Sequence, residues 1–250
     1  MQKKNKFLPP TNSMNPSEVL GQALSDYYMG RTPLNIIVHS PDFDPDTQAV
    51  SYYFRTLVEM PEIEKEAIRL TRGKVLDMGA AAGAHSLELQ KMGFDVTALE
   101  LSSEACKVIK LRGVNKILNG NIFDAPVEKN DTILMLMNGI GLVQTIDGLS
   151  NFLRHIKGFL NPGGQLLFDS ANLIYLFRDE ETDEAVINLN ERYYGEIEFV
   201  MEYKGIKSES FFWLYIDFDT LCHYAEIEGI IPELILQDQN FQYLARLVFP

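Results

Sequence analysis

Asp77, Gly79, Ala81 and Gly83 fall at alternate positions, and Glu100 follows about twenty residues after the first glycine. Residues this small leave nothing between the backbone and a ligand, and Gly79 permits the positive φ that a sharp reversal needs. A helix opening at such a turn aims its free N–H groups, and the positive end of its dipole, back at the turn. A carboxylate placed at the end of the following strand can accept hydrogen bonds from ribose hydroxyls. The chemistry on offer is the binding of an adenosine-bearing cofactor.

The elements that must position these residues lie in the same stretch. Residues 74–100, KVLDMGAAAGAHSLELQKMGFDVTALE, begin with the apolar pair Val75 and Leu76, consistent with a strand buried on both faces. A Gly/Ala-rich turn follows, then a helix from about Ala82 to Met92 closed by Gly93, then a second strand ending at Glu100. Two cofactor classes use this arrangement. The dinucleotide fingerprint places glycines at the first, third and sixth turn positions, and here those are Gly79, Ala81 and Ala84. The other pattern is acid-x-Gly-x-Gly-x-Gly, met by Asp77, Gly79, Ala81 and Gly83 with one Gly-to-Ala departure.

That second pattern resembles the first motif of the class I S-adenosylmethionine-dependent methyltransferases. The resemblance implies that Asp77 lies near the methionine amino group of S-adenosylmethionine, a cofactor with an ammonium and no phosphate. Gly79, Ala81 and Gly83 would let the cofactor pass close to the backbone. Glu100 would hold its ribose end, and Leu101 next to it is also expected to bind the cofactor. The family usually carries an acid near the end of the third strand to read the adenine amino group. Here Asn121 takes that place and can accept the same bond through its carbonyl oxygen, with Ile122 packing on the ring. The central strand, 131–137, ends in Asn138-Gly139-Ile140-Gly141, so Asn138 should face the cofactor or the acceptor.

The rest of the chain extends the resemblance. Ser102 and Ser103 can cap a helix that Gly113 ends, and residues 116–121 make a third strand. A helix over 147–160 precedes a tight Asn161-Pro162-Gly163-Gly164 turn and a fifth strand over 165–168. A helix over 218–229 and two strands, 232–237 and 241–248, close the chain, and their short link makes the pair antiparallel. The expected fold is an α/β, Rossmann-like doubly wound sheet of about seven strands with one antiparallel C-terminal strand. The core spans 74–250. A tail over 1–16 is expected to be disordered. A helical extension over 17–73, with Ser17 as its first cap, and an inserted β-hairpin within 171–217 around Gly205 are expected over the strand ends.

Composition sets bounds. A net charge of −13 argues against nucleic acid as a partner, because phosphate neutralisation dominates such binding. No apolar run reaches the length of a spanning helix, and the first residues lack a signal-peptide core, so no membrane partner is implied and a cytoplasmic location is expected. Two cysteines, Cys106 and Cys222, suggest neither a disulfide framework nor a zinc site, and no acidic metal-ligand cluster stands out.

Methyl transfer asks the protein mainly for placement and exclusion of water. His39, His85, His223 and Asp169 are candidate bases by position, but no catalytic constellation is visible, so the catalytic residue is left unassigned. Arg55 and Tyr53 are candidates for a lid. The reading is methyl transfer from S-adenosylmethionine to a small-molecule acceptor, which the aromatic insertion with its sole tryptophan, Trp213, would help to shape. Two alternatives stand beside it: a nicotinamide-dependent oxidoreductase, and a cofactor-binding but non-catalytic partner subunit. Neither the acceptor nor the oligomeric state is legible.

Overall fold

The computed structural model describes residues 13–126, 128–178 and 192–250. In chain order the elements are α1 (Pro16–Tyr28), β1 (Asn35–His39), β2 (Asp46–Ala49), α2 (Glu62–Leu70), β3 (Lys74–Met78), α3 (Ala84–Lys91), β4 (Asp95–Glu100), α4 (Ser103–Leu111), β5 (Lys116–Asn119), β6 (Asn130–Met135), α5 (Ile146–Ile156), β7 (Leu160–Ala171), β8 (Glu196–Tyr203), β9 (Ile206–Lys207), β10 (Phe211–Leu214), α6 (Phe218–Ile227), β11 (Ile231–Gln237) and β12 (Gln242–Val248).

Seven strands form one sheet in the order β11-β12-β7-β6-β3-β4-β5. Within it β4 with β5 and β6 with β7 are parallel, while β12 runs against both β7 and β11. The expected mostly parallel sheet with one reversed strand is what forms. Its central strands carry the apolar side chains that burial on both faces demands, such as Val75, Leu76, Ile133 and Leu134. The Pro-Gly-Gly motif does not precede the fifth strand; it lies inside it. Asn130 pairs with Leu160 and Thr132 with Gln165, so residues 161–164 bulge out of β7. The strand therefore begins at Leu160 and continues to Ala171, past the expected end at 168.

The two additions make a second sheet, in the order β10-β8-β1-β2 with β9 on β8. β1 comes from the N-terminal segment and β8 from the insertion, and they pair antiparallel with Val38 opposite Met201. β2 was not anticipated: its sequence, DTQA, has no apolar alternation, and its pairing with β1 is what makes it a strand. The expected helical stretch survives only as a 3-10 turn over Val50–Phe54.

Two further expectations change at the N-terminus. The cap of α1 is Asn15, whose side chain accepts from the Ser17 amide at 3.0 Å, and Ser17 is inside the helix. The expected disordered tail lies outside the described residues for 1–12. Residues 13–16 are placed, because the Met14 amide donates to Lys207 O at 3.2 Å and its carbonyl accepts from Glu209 N at 2.8 Å.

The chain separates into two compact units. The first comprises the described parts of Met1–Met60 together with Asp77–Pro126 and Glu198–Phe211. Its core joins Val19, Ala23 and Leu24 of α1 to Ala105 and Val108 of α4, with Ile36, Ala82 and Tyr203 in the same cluster. A Cβ on Gly21 would meet Ser102 Oγ at 2.0 Å, so glycine lets α1 lie against the start of α4. A buried acid closes this unit. Asp26 accepts from Lys204 Nζ, from Arg31 at 3.2 Å and from Tyr203 Oη at 3.2 Å.

The Lys204 ammonium is the main cause of a lowered Asp26 pKa, and burial pushes the Tyr203 phenol up to about 12. A depressed acid stabilises the fold above its unfolded pKa, and that contribution is lost as pH falls through the folded value. Asp26→Asn should therefore cost about 2 kcal/mol near neutrality. The gap between variant and wild type should close on acidification, as urea melts across pH would show; a gap of constant size would refute the ion-pair account.

The second unit comprises Pro61–Leu76, the described parts of Val127–Ile197, and Phe212–Pro250. Phe152, Phe168 and Tyr243 are fully buried within it. The Tyr243 hydroxyl donates to Ile216 O at 2.6 Å, which satisfies its polar end in the core. Pro61 precedes α2 as its N-cap, where its missing N–H costs nothing.

Candidate functional site

In the first unit the turn after β3 is a run of left-handed residues. Gly79, Ala81 and Gly83 have φ of 79°, 50° and 75°. The amides of Gly79 and Ala80 donate to Leu99 O at 2.9 and 3.1 Å, which ties the turn to β4. The next amide, of Ala81, donates to Glu100 Oε2 at 2.9 Å. That bond explains how alanine stands where the motif has glycine. A left-handed alanine costs about 1–2 kcal/mol, and a hydrogen bond to a charged group offsets about as much. Gly83 is the N-cap of α3, and a Cβ there would press on Val114 and Ile109 at 3.2 and 3.3 Å.

Glu100 is buried, with Oε2 on the Ala81 amide and Oε1 on the Ser102 amide at 2.9 Å. Burial pushes its pKa up, the backbone donors pull it down, and the charge of Asp77 pushes it up again. A carboxylate has about four lone-pair sites, so acceptor capacity remains for hydroxyls of a ligand. Asn119 Nδ2 holds the backbone beyond it, donating to Glu100 O and Leu101 O at 2.9 and 2.8 Å. The Leu101 side chain is left 44% exposed beside the acid, a flat apolar surface of the kind a purine can cover.

Asp77 is also buried and accepts from the Ser86 hydroxyl in the first turn of α3. Desolvation raises its pKa, against the pull of His85 and Ser86. Burial raises the pKa of both acids, and a cation placed beside them would offset that cost. Asn121 is exposed, and its Oδ1 accepts from Phe123 N at 2.9 Å, which shapes the turn that carries Ile122. Arg112 reaches back from the end of α4 to Ala82 O and to Phe54 O, the latter at 3.3 Å.

In the second unit β6 ends in two further left-handed residues, Met137 and Asn138, with φ of 66° and 52°. Asn138 is clamped from both sides of its peptide. Its amide donates to Asp169 Oδ2 at 2.9 Å, and its carbonyl accepts the indole N–H of Trp213 at 3.0 Å. Its side-chain Oδ1 is buried with no hydrogen-bond partner among the described residues. Gly141 makes room for the indole, since a Cβ there would sit 1.9 Å from Trp213 Nε1.

The remaining candidates are dispersed. His39 pairs with Glu202 at 2.9 Å, His155 meets the Phe159 ring edge at 4.7 Å, and His223 lies beside Tyr224 on α6. Of the four histidines, His85 alone stands next to a site residue, Asp77. Arg55 is buried with its guanidinium 3.6 Å from the Tyr52 ring, and Tyr53 donates to Gln48 at 2.9 Å. Asp169 is occupied by the Asn138 amide. Sequence reasoning missed the supports of the site: Ser86 under Asp77, Asn119 under Leu101, and Trp213 over Asn138. The one sequence signal for the last was the solitary tryptophan in an otherwise Tyr/Phe-rich insertion.

Residues 76–168 match the family model of the methyltransferase domain. Over its whole length the chain is similar to an S-adenosylmethionine-dependent methyltransferase from Bacteroides fragilis, solved in complex with S-adenosyl-L-homocysteine. The identity is 40%, the coverage 94% of this chain and 96% of that one, and the TM-score 0.86. The fold also matches an S-adenosylmethionine-dependent methyltransferase from Clostridium acetobutylicum, at 13% identity over 75% of this chain and 88% of that one, with a TM-score of 0.55. A ubiquinone biosynthesis O-methyltransferase from Bordetella avium is 22% identical over 134 residues, 52% of this chain; the chain spans little more than half of that enzyme, 56%. The chain belongs to the S-adenosylmethionine-dependent methyltransferases.

The residues present suit that cofactor. The turn has no Cβ in the way at Gly79 and Gly83, the donor set around Glu100 leaves lone pairs for a diol, and two buried acids favour a positively charged ligand. The dinucleotide alternative is disfavoured by its own fingerprint, because Ala81 and Ala84 stand where two of its three glycines belong.

Proposed function

We propose that the chain moves a methyl group from S-adenosylmethionine to a small-molecule acceptor, in the cytoplasm. The observation that carries the reading is the pair of buried carboxylates, Asp77 and Glu100, either side of a left-handed turn. When bound, the cofactor supplies a methyl group activated by its sulfonium. The protein's share is binding and placement. Glu100, fixed by the Ala81 and Ser102 amides, accepts from the ribose hydroxyls. Asp77 stands for the methionine ammonium. Leu101 and Ile122 cover the adenine, and Asn121 meets its amino group.

Asn138, just past β6, has its backbone held by Asp169 and Trp213, and its side-chain amide orients the acceptor's nucleophile. No side chain is assigned as a base. Cys106 and Cys222 carry free thiols, which suits a reducing compartment, and no helix among the described residues is long and apolar enough to cross a membrane.

Calorimetry provides the test. S-adenosylhomocysteine should bind the folded chain with micromolar affinity, and NADH should give no heat. Labelled S-adenosylmethionine should then pass its methyl group to a compound in the low-molecular-weight fraction of a cell extract. No heat at millimolar S-adenosylhomocysteine overturns the cofactor site, and label found only on macromolecules overturns the small-molecule acceptor.

A further inference from the structure

We infer that Tyr175 and Phe241, stacked on the second unit, form an aromatic face against which a planar, ring-bearing acceptor lies. The inference rests on the proposed methyl transfer and narrows its substrate class.

Place is the first argument. β12 runs antiparallel to β7, so the turn between β11 and β12 meets the sheet where β7 ends. Gln242 pairs with Ala171, and the Asn172 amide donates to Phe241 O at 3.0 Å. Ligands of open α/β sheets lie outside the carboxyl ends of the strands, and this pair of rings stands at such an end.

Strain is the second. Phe241 has a φ of 61°. A bulky side chain in the left-handed region costs about 1–2 kcal/mol, and glycine or asparagine is the usual occupant. The turn does not need the ring. Asp238 Oδ1 closes it by accepting from the amides of Asn240 and Gln242 at 2.8 and 3.0 Å. The stack itself has centroids 5.5 Å apart and planes at 16°. The ring pairing by itself, beyond area burial, contributes about 0.5–1.5 kcal/mol, which is no more than the strain. Both rings nonetheless stay open to solvent, Tyr175 at 42% and Phe241 at 41%. A strained aromatic left two-fifths exposed at the ligand-bearing edge of a sheet is the pattern of a binding residue.

Rigidity is the third. Tyr175 sits on the 3-10 turn Ile174–Phe177. Asn172 Oδ1 anchors that turn by accepting from the Ile174 amide and from the Tyr194 hydroxyl, both at 2.9 Å. Phe177 meets the Tyr194 ring edge-on at 5.8 Å, and Asp217 Oδ2 also lies 2.9 Å from that hydroxyl, sharing its single proton with Asn172. The aromatic face is therefore built before any ligand arrives, which lowers the entropic cost of binding. Nearly parallel rings offer flat π surfaces. A planar ring gains offset stacking on them, and a saturated ring does not.

The test uses the full chain saturated with S-adenosylhomocysteine and the probe 3,4-dihydroxybenzoate, with cyclohexane-1,2-diol and choline as controls. Saturation-transfer NMR titrations compare wild type with Phe241→Gly and Tyr175→Ala. Phe241→Gly removes the ring and keeps a residue that adopts the φ of 61° freely, so the turn is preserved. Each variant should bind the aromatic probe about fivefold or more weakly, with unchanged affinity for S-adenosylhomocysteine. The inference is overturned if wild type ignores the probe, if the diol or choline binds as well, or if both variants bind it as wild type does. Failure of S-adenosylhomocysteine itself to bind counts against the cofactor site instead, and that affinity is measured separately.

Discussion

Glu100→Gln should raise the dissociation constant for S-adenosylhomocysteine about a hundredfold and lower the stability of the protein by about 2 kcal/mol. The substitution keeps the volume and removes one acceptor. Both carboxylate oxygens are in use, one on the Ala81 amide and one on the Ser102 amide. An amide side chain can serve only one of them, and its NH2 group then faces a backbone N–H. A buried donor left without a partner costs about 1–3 kcal/mol. The loss falls where the turn is already strained, because the Ala81 bond is what offsets its left-handed φ of 50°.

The ligand loses as well. Its ribose hydroxyls would meet one neutral carbonyl in place of an anion, and hydrogen bonds to charged acceptors are roughly twice as strong as neutral ones. Calorimetric titration and thermal melts read the two effects independently. Binding within threefold of wild type would show that Glu100 is only a structural clamp for the turn.

The second large effect belongs to Gly141→Ala. Its added methyl would lie 1.9 Å from Trp213 Nε1 and 2.2 Å from two ring carbons. An indole is a rigid plate, so the whole ring must leave. It takes with it the N–H that holds the Asn138 carbonyl at 3.0 Å. The expected loss of stability is about 3 kcal/mol, combining overpacking with a broken buried hydrogen bond. Methyl transfer should fall about a hundredfold if, as proposed, Asn138 places the acceptor's nucleophile, because a displacement of about 1 Å misaligns it.

Trp213 is the only tryptophan in the chain, so its emission reports the displacement without any knowledge of the acceptor. A shift to longer wavelength should accompany the loss of stability. Unchanged emission and an unchanged melt would mean that the indole does not rest on this turn in solution.

The parts of the fold that were legible are those set within one or two dozen residues. The motif of Asp77, Gly79 and Gly83, the helix behind it and the acid at the end of the next strand could all be placed. The turn chemistry and the apolar runs that define them are local. The two closing strands were legible for the same reason: a short link forces them to be antiparallel. The boundaries of β7 were not, because residues 161–164 look like a turn in any isolated peptide and become a bulge only when β6 and the Phe249 backbone pair around them. β2 was not legible either, since four polar residues become a strand only beside β1.

On its own, the amino-acid order determined which residues can stand in a cradle for an adenosine-bearing cofactor: small ones where the backbone must turn left-handed, and acids where strands stop. Tertiary structure decided what those residues lean on. Whether Glu100 receives two amides, whether β1 finds β8, and whether Trp213 reaches Asn138 across 75 residues of chain depend on packing between distant segments. Periodicity and turn propensity act over short stretches, whereas a hydrogen bond between remote segments exists only after the core has fixed both of its ends.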